Sequence, residues 1–158
     1  MRAPLRKALA TIFCAALTLS AQTRISPDPA KTQQDFEGWG VSLCWWGNQV
    51  GRWSDAKLAP LIDIVVNPDT GLGYTIFRYN IGGGDNPAHT HLSTYKAIPG
   101  FKATEAGAYN WQADPYQRKV AAMLQARGKN TIFEAFSNSP PWWMTRNQCS
   151  GGMQDGSD

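Results

Sequence analysis

Three runs rich in aromatic and β-branched residues, DFEGWGVSLCWW (35–46), GYTIFRYNI (73–81) and NTIFEAF (130–136), alternate with two stretches of helical period. Runs of this composition read as strands. The order strand, helix, strand, helix, strand pairs them in parallel through right-handed crossovers, which defines an α/β architecture. Three strands and two helices are too few to close a barrel. They form either a small three-layer fold or the first part of something larger with an open sheet edge.

The first helix is expected to start at a Ser54 cap, because Leu58, Leu61, Ile62 and Val65 then recur at i, i+3, i+4 and i+7. Pro60 is expected to confine it mainly to its later part, and the NPDTG turn (67–71) to close it. For the second helix, Asp114 reads as the N-cap, Pro115 as the first helical residue and Gln117 as the partner in a capping box. Val120, Met123 and Leu124 supply its apolar stripe and Gly128 ends it. Residues 82–113 show no clear period. Loops that long are functional or disordered, and the aromatic content here favours an ordered surface loop.

Residues 1–21 read as a signal peptide, with Arg2, Arg6 and Lys7 ahead of an apolar run from Ala8 to Leu19 and small residues at Ser20 and Ala21. That run is shorter than the roughly 20 apolar residues of a membrane span, so an anchor is the weaker reading. Residues 22–34 are a polar lead-in, and 35–158 carry the α/β part. Cleavage removes three of the fifteen cations and no acid, leaving twelve of each. A secreted, near-neutral chain without a Lys/Arg cluster gives no sign of nucleic acid or a membrane as partner.

Of the three cysteines, Cys44 and Cys149 lie beyond the signal peptide. In an oxidising exterior either a bridge between them or two unpaired buried thiols is open. A bridge in the whole protein is the tentative expectation. No Cys/His spacing suggests zinc. His89 and His91 have no evident third ligand and read as loop residues, so neither metal nor cofactor is expected.

The segments FEGWGVSLCWWGN (36–48), IFRYNIGGGDNP (76–87) and FEAFSNSPPWWM (133–144) occur in the order and at the strand ends found in family 30 glycoside hydrolases. The chain resembles that family, nearest its endo-β-1,6-galactanase-like branch. The resemblance implies the N-terminal part of a (β/α)₈ barrel, with the segment around Arg24 to Ser26 lending a strand to a side β-sandwich. It also implies a retaining β-glycosidase acting on a polysaccharide or oligosaccharide, monomeric when complete. The acid/base and nucleophile glutamates of such enzymes follow strands four and seven, so both are expected beyond Asp158 and the 158-residue chain alone is expected to be inactive. Glu37 and Glu134 lie in apolar strands, and each reads as held by a hydrogen bond or salt bridge inside the barrel.

Barrel active sites lie at the carboxyl ends of the strands. Gly38-Trp39-Gly40, Arg78 through Asp85 and Asn138 through Trp143 are expected there. Arg78 reads as orienting a catalytic carboxylate or as forming a structural ion pair. Asp85 has the spacing of the family's acid that binds sugar hydroxyls, and equally that of a turn former. Asn138 takes the place of a Trp that faces the sugar in other branches. Trp143 matches the Trp of a Trp-Leu/Met-Lys element whose Lys is here Thr145. Flanking glycines would let Trp39 approach a ligand. Trp45, Trp46, Trp53 and Trp111 read as packing residues. The alternatives are a non-catalytic carbohydrate-binding module, or a family 30 enzyme acting on β-1,6-glucan, glucosylceramide or xylan.

Overall fold

The computed structural model describes residues 24–88 and 92–151. The signal-peptide segment, His89 and His91 therefore lie outside the described residues. The chain divides into two compact units, Met1–Phe36 and Glu37–Asp158. In the first, residues 24–36 hold a turn and a bend but no strand, so the strand expected around Arg24 to Ser26 is not formed there.

The second unit is built on three parallel strands, β1 (Gly40–Ser42), β2 (Ile76–Ile81) and β3 (Ile132–Ser137), in the order β1-β2-β3. Gly40 pairs with Ile76, and Ile76 with Ile132, so the three strands start level. β1 is half as long as its neighbours. A short helix α1 (Trp46–Val50) and a longer one, α2 (Asp55–Val66), connect β1 to β2, and α3 (Pro115–Arg127) leads into β3. The sequence does not announce helix α1: the residues that look like a strand's continuation wind up at Trp46.

Pro60 does not delay α2, which starts at Asp55 and carries it as an internal residue. The carbonyl deprived of a partner by the missing N–H belongs to Ala56, which is exposed, so water can satisfy it. Ser54 does precede the helix, but its side chain makes no capping bond. Its backbone carbonyl accepts from Lys57 and Leu58 instead.

Leu58 and Ile62 of α2, Val120 and Leu124 of α3, Leu43 and Phe77 are completely buried and form the core. Phe133 packs against Phe77 with ring centroids 5.9 Å apart. α1 and α2 both pack on α3. The α1–α3 approach demands glycine at 51, because a Cβ there would fall on the Tyr116 carbonyl. All three helices thus cover the side of the sheet that carries Phe77 and Phe133. Ile132, Arg78 and Glu134 alternate with these residues along the strands and stay exposed on the other side.

Candidate functional site

The carboxyl ends of β2 and β3 are pinned together by glycines. A Cβ at Gly82 would strike the Ile98 carbonyl, and one at Gly83 would come within 2.5 Å of the Pro140 oxygen. The glycine run thus serves close packing between the β2 end, the 93–100 segment and the 138–141 segment. Backbone bonds from Gly84 N to Ile98 O (3.1 Å) and from Trp142 N to Gly83 O (3.0 Å) tie the three together.

Two clefts flank this junction. One, of about 400 Å³, is lined by Asp85, Lys102, Thr104 and Trp142. The other, of about 160 Å³, is lined by Trp45, Asn80, Lys96, Asn138 and Ser139. In the smaller cleft Asn80 is 3 % exposed, and its Oδ1 has no hydrogen-bond partner in the structure. An orphaned buried acceptor of this kind is costly unless a donor reaches it. The Lys96 ammonium sits 5.2 Å from the Trp45 ring centroid. Together these groups offer an aromatic ring, a cation and amides, a set suited to a hydroxyl-rich ligand.

The residues expected to form the site separate into four places. Asp85 reaches the larger cleft, where its carboxylate also accepts backbone N–H bonds from Asn86 (2.9 Å) and Leu92 (3.3 Å), so it shapes the turn as well. Trp143 is half-buried, and its indole N–H donates to the Lys102 carbonyl (3.2 Å). Asn138 belongs to the smaller cleft.

Arg78 stands on the open sheet face. Its Nε donates to Glu134 Oε2 at 2.9 Å and its guanidinium lies 4.7 Å from the Phe136 ring centroid, so the structural ion pair is the arrangement found. Both partners are about half exposed (44 % and 51 %), and such pairs contribute at most about 1 kcal/mol. Glu37 lies ahead of β1 and is exposed, not enclosed in a strand.

Contrary to the expectation from the sequence, Trp39 does not lie at a carboxyl end. It precedes β1, at the amino end of the sheet and opposite the clefts, because pairing with β2 begins only at Gly40. The residue that does occupy the carboxyl end of β1 is Trp45, one of those read as packing. Trp46 and Trp53 do pack against the core. Trp111 does not: it is 66 % exposed.

Cys44 and Cys149 are free thiols, so the tentative bridge is absent. Burial pushes the Cys44 thiol up, and the Ser42 hydroxyl and Arg78 only partly oppose this. The Cys149 backbone N–H is held by Thr145 Oγ1 (2.9 Å) and Asn147 Oδ1 (3.1 Å).

Asp114 departs furthest from its sequence reading. It is 1 % exposed, adopts a left-handed conformation (φ 54°) and makes no capping bond. Its Oδ2 instead accepts from the Tyr79 hydroxyl (2.5 Å) and from Gln117 Nε2 (2.6 Å). Burial pushes the Asp114 carboxyl up, opposed by these two bonds. Burial and the neighbouring carboxyl push the Tyr79 hydroxyl up as well.

Gln117 also takes the place of a strand. The Arg78 carbonyl bonds Leu43 N on the β1 side, so two residues on the Asn80 N–H and C=O face the same side, just past the end of β1. Gln117 meets both, accepting from Asn80 N (3.2 Å) and donating to Asn80 O (2.8 Å). The sequence did contain a signal for this: Gln117, Val120 and Leu124 fall at i, i+3 and i+7, which places Gln117 in the apolar stripe that faces the sheet.

A parallel sheet with polar and aromatic clefts at its carboxyl edge belongs to the class of α/β proteins that bind ligands beyond their strand ends. The family model for O-glycosyl hydrolase family 30 matches residues 22–156, and the chain belongs to that family. An endo-β-1,6-galactanase from Hypocrea rufa is 35 % identical over 153 residues, covering 84 % of this chain and 31 % of that protein. An exo-β-1,6-galactobiohydrolase from Bifidobacterium longum subsp. longum is 27 % identical, covering 85 % of this chain and 13 % of that protein. The chain therefore spans less than a third of the length of either relative.

Two solved structures share the fold at 22 % identity, each covering 77 % of this chain. A conserved exported protein from Bacteroides fragilis superposes with a TM-score of 0.66 over 26 % of its chain. The catalytic domain of a family 30 xylanase C from Talaromyces cellulolyticus gives 0.53 over 27 %. No helix among the described residues is long and apolar enough to cross a membrane.

Proposed function

We propose that this chain supplies the amino-terminal, substrate-binding part of a secreted retaining β-glycosidase acting on β-1,6-linked galactan. The observation that carries the reading is the pair of clefts at the carboxyl edge of the sheet, with the buried Asn80 acceptor in one and Asp85 beside Trp142 in the other. Pyranose rings present C–H faces to aromatic rings and hydroxyls to amides, carboxylates and ammonium groups, and these clefts hold all four. The galactan preference is supported by the two relatives named for β-1,6-galactose linkages.

Retaining hydrolysis needs one carboxylic acid to protonate the leaving oxygen and a second carboxylate, about 5 Å away, to form and then release a glycosyl-enzyme. Within the described residues Glu134 is engaged by Arg78, and Glu37 is exposed ahead of β1. In this reading the catalytic pair comes from strands four and seven of the whole barrel, and residues 24–26 join a side sandwich completed elsewhere. The chain then binds and orients substrate, with Asn80, Asp85, Lys96 and Asn138 as its hydroxyl partners.

Retention of the chain on immobilised β-1,6-galactan, β-1,6-glucan and β-xylan checks this. Retardation by galactan that Asn80→Ala or Asp85→Ala weakens is expected. Equal retardation by all three, or by none, would overturn it.

A further inference from the structure

Residues 101–111, FKATEAGAYNW, fold into a hairpin, with Lys102 and Tyr109 in an antiparallel bridge, Asn110 N bonded to Phe101 O (2.7 Å) and Gly107 N bonded to Thr104 O (3.0 Å). On it Tyr109 and Trp111 stack, their centroids 5.1 Å apart and their planes within 4°. Phe101 supports Trp111 at 6.0 Å. The pair is 62 % and 66 % exposed. Leaving two large rings in water costs apolar hydration, and exposed aromatic patches mark contact surfaces.

The hairpin is fastened to the candidate site. The indole N–H groups of Trp142 and Trp143 donate to the carbonyls of Ala103 (3.1 Å) and Lys102 (3.2 Å). The Lys102 ammonium lies 5.7 Å from the Tyr109 centroid and 5.3 Å from that of Trp143. Lys102 and Thr104 also line the Asp85 cleft. One side of the hairpin therefore walls the cleft, while its rings extend the surface outward.

We infer that Tyr109 and Trp111 form a second carbohydrate-binding surface, a platform for pyranose units of a neutral β-linked hexose chain running out of the Asp85 cleft. The inference rests on the glycosidase reading above. Two features select the occupant. The hairpin carries one cation and one acid, Lys102 and Glu105, so it offers no net charge to an acidic polymer. Ala103, Ala106, Gly107 and Ala108 around the rings give a protein partner little side chain to bury, against the roughly 800 Å² per partner of a stable interface. Exposed aromatic rings suit stacking against sugar C–H faces. A chain long enough to span cleft and platform gains from both, whereas a disaccharide held in the cleft gains from one.

The experiment is calorimetric titration of the 158-residue chain with long β-1,6-galactan and with β-1,6-galactobiose, for the unchanged protein, Trp111→Ala, Tyr109→Ala and Asp85→Ala. The expected result is that Trp111→Ala and Tyr109→Ala each weaken long-chain binding about tenfold, the size of losing one anchoring ring, and leave disaccharide binding unchanged. Asp85→Ala should weaken both ligands. Long-chain binding that is unchanged in the ring variants but lost in Asp85→Ala would overturn the platform while leaving the cleft reading intact. No binding of either ligand by any form would overturn the glycosidase reading, and the platform with it. Self-association abolished by Trp111→Ala, with long-chain binding unaltered, would assign the rings to a second copy and also overturn the inference.

Discussion

The two faces of the sheet differ sharply. Phe77 on the helix side is wholly buried, while Ile132 on the other side is 48 % exposed, although the two stand on adjacent strands one register position apart. Parallel sheets are normally covered on both faces. The helix side is therefore a finished core. The open side carries Arg78, Glu134 and Phe136, and under the proposed function it would be the inner wall of a closed barrel, where side chains from further strands stack in layers. Stability in this chain should reside on the first face, and function at the edge where the two meet.

The largest expected effect follows directly. Phe77→Ala should cost about 3–5 kcal/mol, as for a fully enclosed aromatic ring, while Ile132→Ala should stay within about 0.5–1 kcal/mol. Urea unfolding of the two variants checks the contrast, and equal losses would break it. Next comes Gln117→Ala, which strips the Asn80 N–H and C=O of their partner and removes a donor from Asp114. A loss of about 1–3 kcal/mol is expected for buried groups left unpaired. An effect below that range would mean that water replaces the side chain.

On the open face, a double-mutant cycle of Arg78→Ala and Glu134→Ala should give a coupling below about 1 kcal/mol, because both partners are half in water. A larger coupling would show the open face to be as dry as the core. The finest effect is a slope with pH. Asp114 is raised above its ordinary value by burial, so the folded chain holds this proton more tightly than the unfolded one. Its contribution is fully present below the unfolded pKa, about 3.9, and declines as pH rises through the higher folded value. Asp114→Asn should remove that decline, and parallel stability–pH curves for the two proteins would contradict the assignment.

Much of this division was legible in the sequence, for reasons that differ from residue to residue. Leu58, Ile62, Val120 and Leu124 announced their helices because burial imposes a period that polar residues do not share. Trp39 and Trp45 were exchanged because glycines on both sides of Trp39 resemble a strand end, and only pairing with β2 shows that β1 starts after it. Asp114 satisfies every local rule for a cap, yet its carboxyl turns inward because Tyr79, from a strand 35 residues away in sequence, offers a hydroxyl there. Trp111 looked like packing because large rings are usually covered, and composition does not reveal that a hairpin lifts it into solvent. Contacts between distant segments decided each of these cases.

Reducing-end release from β-1,6-galactan, measured beside calorimetric binding on the same 158-residue chain, tests whether binding and chemistry are separated. Saturable binding with no reducing ends above the blank is expected, because the proposed function assigns binding to the clefts of this chain and catalysis to carboxylates on other strands. Sustained release that Glu37→Gln or Glu134→Gln abolishes would contradict it and place the chemistry on this chain.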